Sequence, residues 1–312
     1  MSLADEAGAL AASGRIAEAV QRLRQSGDGG ALLALAIWTL TGRHVTRDLP
    51  AARELFHQAA QAGDATAIGV HTCLLANGAG GRPDWPAALA HLAIRTDAAA
   101  ARMRQVLAAM ALRDDGSPSV PPVPEPICAR PTVLLFRSLL SPLECDYLRE
   151  IATPLLEPSV VIDSRTGRSI RDPVRTSDTA AFPFVSEDPV VHALNRRFAA
   201  ATRTQVDQGE PLQVLRYDPG QQFHPHTDAL AGDANPRVWT VLTWLNTQYE
   251  GGRTHFITPD LRIRGGQGDA IAFRSADASG RADPASRHAG EPVTRGTKFL
   301  ASRWIRARRL TV

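Results

Sequence analysis

The sequence predicts an α+β protein in which an N-terminal helical repeat domain precedes a jelly-roll sandwich with flanking helices. Residues 1–113 are rich in alanine and carry apolar residues at helical spacing, with almost no strand signal. Residues 114–131 are rich in proline, which predicts an extended linker. Residues 132–312 begin with one strand and two helices, followed by many short strands between glycine- and proline-marked turns.

The helical region contains an internal repeat. Gly27-Asp28 recurs as Gly63-Asp64, and Pro50-Ala51-Ala52 recurs as Pro86-Ala87-Ala88, each 36 residues later. A period of this length is typical of stacked helix pairs, and residues 51–63 resemble tetratricopeptide-like repeats of the Sel type. An ordinary helical bundle is the alternative. Because repeat arrays usually present a surface to another protein, this domain is expected either to bind a protein partner or to support its neighbour.

The C-terminal domain is predicted to open with a strand and a capped helix. Residues 132–136 are apolar and read as the strand. Ser141-Pro142-Leu143-Glu144 combines an N-cap serine, a proline at the first helical position and a glutamate at the third, which is a capping box. A second helix is predicted to begin near Asp188. The later strands are predicted over 213–217, 238–245, 255–257, 269–273 and 298–305.

Composition and charge restrict the class of protein. The 312 residues are 44% hydrophobic, enough for a buried core. The net charge of +3 does not indicate nucleic-acid binding, and Arg306 and Arg308 are expected to be solvated near the C-terminus. Three cysteines without metal-site spacing favour a reducing compartment. The chain shows neither a signal-peptide pattern nor a long apolar run, so a soluble cytoplasmic protein without a membrane or nucleic-acid partner is expected.

Three residues have the pattern of a mononuclear metal site. His226 and Asp228 stand two apart, so on an extended backbone both side chains point to the same side. His288, 62 residues after His226, would supply a second imidazole. Two histidines and one carboxylate on one face suit Fe(II) and leave coordination positions open for substrate and oxygen. These residues are therefore the predicted metal ligands and the predicted catalytic centre.

Lys298 is a second unusual feature. It follows His288 by ten residues and is the only lysine among 35 basic residues, the others being arginine. Lysine offers a compact charge on a thin stem, whereas arginine is a broad planar fork. A narrow pocket that holds one carboxylate end-on is one explanation for this choice. A chance lysine on the surface is the alternative, since lysine is mostly exposed.

A series of motifs runs through the C-terminal domain in a fixed order. They are Arg216-Tyr217, Gly220-Gln221, His226-Thr227-Asp228, residues 242–246, residues 251–256, Gly268-Asp269, residues 288–293, residues 296–298 and Trp304-Ile305. Each motif is weak alone, but the ordered set is specific. With it, residues 133–308 resemble the prolyl 4-hydroxylase branch of the 2-oxoglutarate- and Fe(II)-dependent oxygenases.

The resemblance implies a double-stranded β-helix fold and an enzyme that hydroxylates an unactivated C–H bond, with release of succinate and CO2. It implies Fe(II) as cofactor, 2-oxoglutarate and O2 as co-substrates, and a use of ascorbate. It identifies His226, Asp228 and His288 as the Fe(II) ligands and Lys298 as the partner of the far carboxylate of 2-oxoglutarate. Further residues that resemble co-substrate contacts are Tyr217, Thr254 and Trp304. Trp244 stands where many relatives have tyrosine, which bears on the shape of the pocket and hence on the substrate.

Two other functions remain open at this level. His224, His226 and Asp228 also match the HxHxD pattern of zinc hydrolases, although Ala229 stands where those enzymes carry another histidine. The second alternative is an interaction protein that uses the helical repeats and carries an inactive oxygenase domain. In the favoured interpretation His224 is not a ligand and His255 is a hydrogen-bonded structural histidine. The remaining histidines, which are His44, His57, His71, His91 and His192, are also expected to be structural.

The substrate is predicted to be either a prolyl residue of a polypeptide or a small molecule, since oxygenases of this branch include both types. The helical repeats favour a polypeptide. Three loops are expected to set specificity, and they cover residues 163–173, 229–237 and 275–287.

Overall fold

The chain divides into two compact units. The computed structural model describes residues 1–162, 169–171, 174–229, 232–277 and 280–310. The first unit comprises Met1–Gly116 together with Pro183–His192, and the second comprises Ser117–Phe182 together with Ala193–Thr311. The segment 183–192 thus belongs to the first unit, although its position in the sequence placed it in the second predicted domain. Most of the first predicted specificity loop, residues 163–168 and 172–173, lies outside the described residues.

The first unit is helical, as the apolar spacing predicted. Its helices are α1 Leu3–Ala12, α2 Ile16–Gln25, α3 Gly29–Thr41, α4 Leu49–Gln61, α5 Ala65–Asn77, α6 Trp85–Ile94 and α7 Ala98–Ala109. Leu35, Phe56 and Leu74 are buried at the centre of its apolar core. Throughout the described part of the chain, no helix is both long and apolar enough to cross a membrane.

The 36-residue repeat corresponds to repeated helix ends. Asp28 accepts a hydrogen bond from the backbone three residues later at the start of α3, and Asp64 does the same at α5, both at 2.8 Å. Asp48 and Asp84, also 36 residues apart, cap α4 and α6 in the same way. Aspartate at this position satisfies a backbone N–H that the helix itself leaves unpaired. These caps are compatible with tetratricopeptide-like repeats, and the assignment to the Sel type stays a prediction.

The second unit contains the strands and two flanking helices. The helices are α8 Pro142–Ala152 and α9 Pro189–Thr202, the latter beginning in the segment that belongs to the first unit. The strands are β1 Glu125–Ala129, β2 Thr132–Phe136, β3 Glu157–Pro158, β4 Val160–Ile162, β5 Ser169–Arg171, β6 Asp178–Phe182, β7 Leu212–Tyr217, β8 Phe223–His226, β9 Arg237–Trp244, β10 Tyr249–Gly251, β11 Thr254–Phe256, β12 Leu261–Ile263, β13 Ala270–Arg274, β14 His288–Gly290, β15 Val293–Gly296 and β16 Lys298–Arg306.

Two antiparallel sheets form a double-stranded β-helix. The larger sheet has the order β1-β2-β13-β9-β16-β7-β6-β3, and the smaller has the order β12-β11-β14-β8. Apolar side chains from both sheets share one core, in which Phe256 of the smaller sheet packs edge-on against Phe273 of the larger at 5.0 Å. The predicted α+β class and jelly-roll architecture are confirmed.

The capping box predicted at the start of α8 is present and has a further role. The hydroxyl of Ser141 accepts from the backbone N–H of Glu144, and the Glu144 carboxylate accepts from the backbone N–H of Ser141. The same carboxylate forms a bidentate pair with Arg197 of α9, at 2.7 and 2.8 Å. The two flanking helices are therefore joined by a buried, doubly hydrogen-bonded ion pair.

Part of the predicted linker is a strand. Within residues 114–131, β1 pairs with β2 at the edge of the larger sheet. An edge strand tolerates Pro126, because the N–H that proline lacks is not needed on an unpaired side. The prolines of this segment therefore favoured the prediction of a linker where the structure has a strand.

Arg306 departs from the expected solvated terminus. It is the last residue of β16, is half-buried, and contacts Glu210 at 2.7 Å and Asp233. Arg308, beyond the strand, is exposed as expected. The difference arises because the strand continues past Trp304 and brings Arg306 against two carboxylates that are distant in sequence.

Candidate metal centre

One cavity, lined by residues of both sheets, collects the predicted metal ligands. His226 ends β8 and His288 begins β14, and the antiparallel pairing of these strands sets the two residues opposite each other. Asp228 follows immediately after β8. One ligand atom from each of the three side chains lies within 4.8 Å of the others. Strand register thus brings together residues that are 62 positions apart.

Backbone carbonyls orient both imidazoles. Nδ1 of His226 donates to the carbonyl of His224 at 2.8 Å, and Nδ1 of His288 donates to the carbonyl of Ser286 at 3.0 Å. Because a carbonyl only accepts, the proton sits on Nδ1 and each Nε2 keeps a lone pair for a metal. The two Nε2 atoms lie 3.5 and 3.9 Å from the carboxylate oxygens of Asp228. Metal-binding histidines are commonly held in this way.

Electrostatics favours the protonation states that bind metal. Burial disfavours a charged Asp228, but the neighbouring histidines and the hydroxyl of Thr240 outweigh it and hold the carboxyl pKa below its usual range. Burial lowers the pKa of His288 to about 4. At neutral pH the site therefore offers a carboxylate and neutral imidazole, which are the forms that ligate a metal ion.

Two residues that the sequence did not single out support the ligands. Thr240 on β9 donates its hydroxyl hydrogen to Oδ2 of Asp228 at 2.5 Å. The ring of Phe223 stacks on the imidazole of His226, with centroids 3.4 Å apart and planes 12° apart. Thr240 is one of two threonines in a buried strand, so the sequence alone does not distinguish it from Thr243. Nothing local indicated Phe223.

Replacement of Thr240 by valine is expected to weaken metal binding by about 10- to 100-fold, the usual cost of removing a group that orients a metal ligand. Thr243 on the same strand provides a matched control, because it is equally buried and its hydroxyl has no hydrogen-bond partner. Thr243→Val should leave metal affinity unchanged. Equal affinities for both variants in a competition titration with a metal-binding dye would contradict a role for Thr240.

Lys298 lies in the same cavity, at the start of β16 and opposite Tyr217 of β7. It is 2% exposed, which rules out the surface alternative. Its Nζ donates to the carbonyl of Gly252 at 2.7 Å, and no carboxylate of the described chain pairs with it. A buried ammonium without an anionic partner is costly. The cavity is therefore built to receive a negatively charged ligand.

A glycine makes room for this lysine. Gly252 has a φ of +60°, and a Cβ at this position would lie 3.1 Å from Cδ of Lys298. The glycine pair at 251–252 therefore allows the positive φ angles of the turn and lets the backbone approach the lysine closely. Its carbonyl then supplies the one hydrogen bond that holds the ammonium in place.

The other predicted pocket residues also lie at the cavity. Tyr217, Thr254 and Trp304 are buried and contribute to its lining. Burial raises the pKa of Tyr217 to about 12, so its hydroxyl keeps a proton to donate at neutral pH. Trp244 is fully buried in the core and does not belong to the lining residues of the described cavity. Its indole fits because Gly265 has no side chain, since a Cβ there would lie 2.2 Å from the ring.

The remaining histidines of this region are not ligands in the structure. His224 is exposed and does not join the cluster of His226, Asp228 and His288. His255 is hydrogen-bonded through Nε2 to Asp260 at 2.7 Å, as expected for a structural histidine. The HxHxD pattern of a zinc hydrolase is therefore not realised, because its first histidine is exposed and does not join the other two residues.

Comparison with known proteins agrees with this geometry. Residues 212–306 match the 2OG-Fe(II) oxygenase superfamily. Prolyl 4-hydroxylase 1 of Arabidopsis thaliana is 35% identical over 202 residues, which cover 59% of this chain and 71% of the relative. The chain belongs to the prolyl 4-hydroxylase family of 2OG-Fe(II) oxygenases. As a member of this family it is a dioxygenase that uses Fe(II), 2-oxoglutarate and O2.

Two further similarities accompany this family assignment. Probable prolyl 4-hydroxylase 3 of Arabidopsis thaliana is 33% identical over 199 residues, covering 56% of this chain and 69% of that protein. Among solved structures, the 2OG complex of a viral collagen prolyl hydroxylase from Paramecium Bursaria Chlorella virus-1 is 28% identical. The match covers 58% of this chain and 99% of the viral one, with a TM-score of 0.46.

The predicted pairing of Lys298 with 2-oxoglutarate implies that the binding of this co-substrate depends on pH. Burial, and then the charge of Arg264, lowers the pKa of the free lysine to about 7. Above that pH the amine is largely neutral, whereas a carboxylate pairs with the ammonium, so binding takes up a proton. The Kd for 2-oxoglutarate should rise by up to about tenfold per pH unit above about 7. Calorimetry in two buffers of different ionisation enthalpy measures this uptake, and a Kd that is flat between about pH 7 and 8.5 without uptake would contradict it.

Proposed function

We propose that this dioxygenase hydroxylates a prolyl residue of a polypeptide, with His226, Asp228 and His288 as its Fe(II) ligands and Lys298 as the partner of 2-oxoglutarate. The observation that carries the proposal is the convergence of three ligand atoms within 4.8 Å in the cavity that also contains the unpaired ammonium. Family membership supports the reaction, and the name of the 35% identical relative supports proline as the target.

The donor set fits Fe(II). The three side chains offer two imidazole nitrogens and one carboxylate oxygen from one side, and this leaves positions for other ligands. With 2-oxoglutarate bound, Fe(II) activates O2 for insertion of one oxygen atom into a C–H bond, with release of succinate and CO2. The protein therefore needs no general base at this site. Its own residues have to hold the ligands, exclude water and orient the two reactants.

Lys298 would fix the orientation of 2-oxoglutarate. A single ammonium held by Gly252 defines where the far carboxylate ends, because the stem of the lysine is enclosed by the core. Tyr217 and Thr254 line the same cavity, so their hydroxyl groups are candidates for further hydrogen bonds to that carboxylate. The dicarboxylate is thereby distinguished from monocarboxylates, which would leave the buried charge unpaired.

A direct test supplies the purified enzyme with Fe(II), 2-oxoglutarate, O2 and a library of proline-containing peptides. The proposal expects a product heavier by one oxygen atom, located on proline by fragment masses, with one succinate released per product. The same peptides with alanine in place of proline provide the control. If oxygen is inserted only into non-prolyl residues or only into small molecules, the assignment to proline is wrong, while the dioxygenase chemistry still holds.

The interaction-protein alternative makes the opposite expectation. If the oxygenase domain were inactive and the helical unit carried the function, a partner would bind to the helical unit stoichiometrically, and no succinate would be released. The ligand set speaks against this, since all three predicted ligand side chains are present and oriented by hydrogen bonds or stacking. Absence of 2-oxoglutarate turnover by iron-loaded protein, in the presence of a captured partner, would favour the alternative.

A further inference from the structure

The helical unit contains a cluster of three histidines that dioxygenase chemistry does not use. His57 lies on α4, His71 on α5 and His91 on α6. The ring centroids of His57 and His71 are 4.8 Å apart, and those of His71 and His91 are 5.1 Å apart. His71 is 5% exposed and lies between the two half-buried rings. Sequence spacing gave no sign of this cluster, because the three residues come from successive helices.

Each of these rings carries an unpaired polar atom. Nδ1 of His57, of His71 and of His91 is buried and has no hydrogen-bond partner. A buried nitrogen without a hydrogen-bond partner costs free energy. Three such atoms on rings in contact therefore call for a physical explanation, and a shared metal ion is one such explanation. Imidazole nitrogen is also the donor that Zn²⁺, Cu²⁺ and Ni²⁺ favour.

The ring spacing is that of imidazoles around one ion. Metal–nitrogen bonds of ~2.0–2.1 Å and tetrahedral angles put the centroids of two bound imidazoles roughly 5 Å apart. The separations of 4.8 and 5.1 Å are close to this value. In the dioxygenase centre of the same chain, His226 and His288 lie 4.3 Å apart. The two separations in the helical cluster are longer than this, and both stay close to the value for imidazoles bound to one ion.

The surroundings keep the rings in the form that binds metal. Burial, then His91, His57 and Arg53, lowers the pKa of His71 to about 4, and burial also lowers the pKa of His91. His71 and His91 are therefore neutral at neutral pH. Arg53 is the nearby cation, and its guanidinium donates to the carbonyls of Ala79 and Arg82. Its charge opposes a bound cation, so moderate rather than very tight affinity is expected.

We propose that His57, His71 and His91 form a second metal site, which binds a divalent transition-metal ion such as Zn²⁺ or Cu²⁺ and ties α4, α5 and α6 together. Within the described chain their ring nitrogens do not yet all lie within 4.8 Å of one another. Binding therefore includes a rotation of at least one ring about its Cβ–Cγ bond. That rotation breaks no hydrogen bond at Nδ1, because none is made. An open cavity that includes His91 in its lining gives the ion access.

The experiment uses the full chain carrying His226→Ala and His288→Ala, which removes the imidazoles of the dioxygenase centre. Chelator-treated protein receives one equivalent of Cu²⁺, and electron paramagnetic resonance counts the nitrogens bound to it. The proposal expects one bound Cu²⁺ with three imidazole nitrogens. It also expects a higher thermal midpoint with Zn²⁺, because an ion that binds only the folded state stabilises it.

Three substitutions in the same background decide the location of the ion. His57→Gln and His91→Gln, at half-buried positions, should each weaken Zn²⁺ binding by at least about tenfold, since each removes one of three ligands. His44→Gln is the matched control, because His44 belongs to the same unit but packs edge-on against Trp38 instead. Loss of binding in the first two variants and not in the control supports the site. No bound ion, or equal affinity in all three variants, overturns it.

Discussion

Replacement of Lys298 by alanine is expected to weaken 2-oxoglutarate binding by about 30- to 5,000-fold. Truncating one partner of a buried, hydrogen-bonded charge pair costs about 2–5 kcal/mol, and about 1.4 kcal/mol corresponds to a factor of ten. Lys298 meets this description because it is 2% exposed and has only the Gly252 carbonyl as hydrogen-bond acceptor in the described structure. Anaerobic calorimetry with Fe(II)-loaded protein measures the Kd.

Two further variants sharpen the result for Lys298. Arg295→Ala removes a cation from the preceding strand, but Arg295 is exposed and pairs with Glu250, so its loss should not change the Kd. Lys298→Arg keeps the charge but places a planar fork in a space where Gly252 already approaches the lysine stem. It should therefore rescue binding only poorly. If the Kd of Lys298→Ala stays within about threefold of the parent value, Lys298 does not take part in binding 2-oxoglutarate.

Replacement of Asp228 by alanine is expected to weaken Fe(II) binding by more than about 100-fold and to abolish turnover. Groups that merely orient a metal ligand already contribute about 10- to 100-fold, and Asp228 is a proposed ligand itself. Its carboxylate is the only negative charge in the three-residue cluster, and its pKa is held low by the neighbouring histidines and Thr240 despite burial. Without it, two neutral imidazoles remain.

Asp260→Ala is the matched control for this variant. Asp260 also contacts a histidine, at 2.7 Å from Nε2 of His255, but it is an exposed residue outside the cavity. The control should bind Fe(II) and 2-oxoglutarate like the parent. Circular dichroism establishes that both variants are folded. Undiminished succinate release by folded Asp228→Ala would show that the metal is held elsewhere.

The sequence predicted those parts of the protein that depend on local pattern. Helical spacing and the capping box at Ser141 are decided within a few residues, and both are present in the structure. The 36-residue repeat was also visible in the sequence, and the structure shows that it corresponds to aspartate caps. His226 and Asp228 are similarly local, because two residues that are two apart on extended backbone share a side. Lys298 stood out through composition alone, and its near-complete burial removes the surface alternative.

Features that depend on register between distant segments were not predictable. Thr240 of β9 meets Asp228 only because the two sheets bring β9 and the end of β8 together. The stacking of Phe223 on His226 occurs within β8, and no pattern in the sequence indicated it. The histidines of the helical unit approach each other through the packing of α4, α5 and α6, which no spacing along one helix reveals. The predicted cytoplasmic location, the use of ascorbate and the role of the helical unit in partner binding stay predictions.

The most direct test of the metal centre is an absorption spectrum. Anaerobic protein mixed with Fe(II) and then 2-oxoglutarate should develop a visible charge-transfer band, because the 2-oxo acid chelates an iron ion held by His226, Asp228 and His288. The band should be absent in Asp228→Ala, and in Lys298→Ala it should require a much higher concentration of 2-oxoglutarate. A folded parent protein without the band, or the same band in Asp228→Ala, would contradict the assignment of this site.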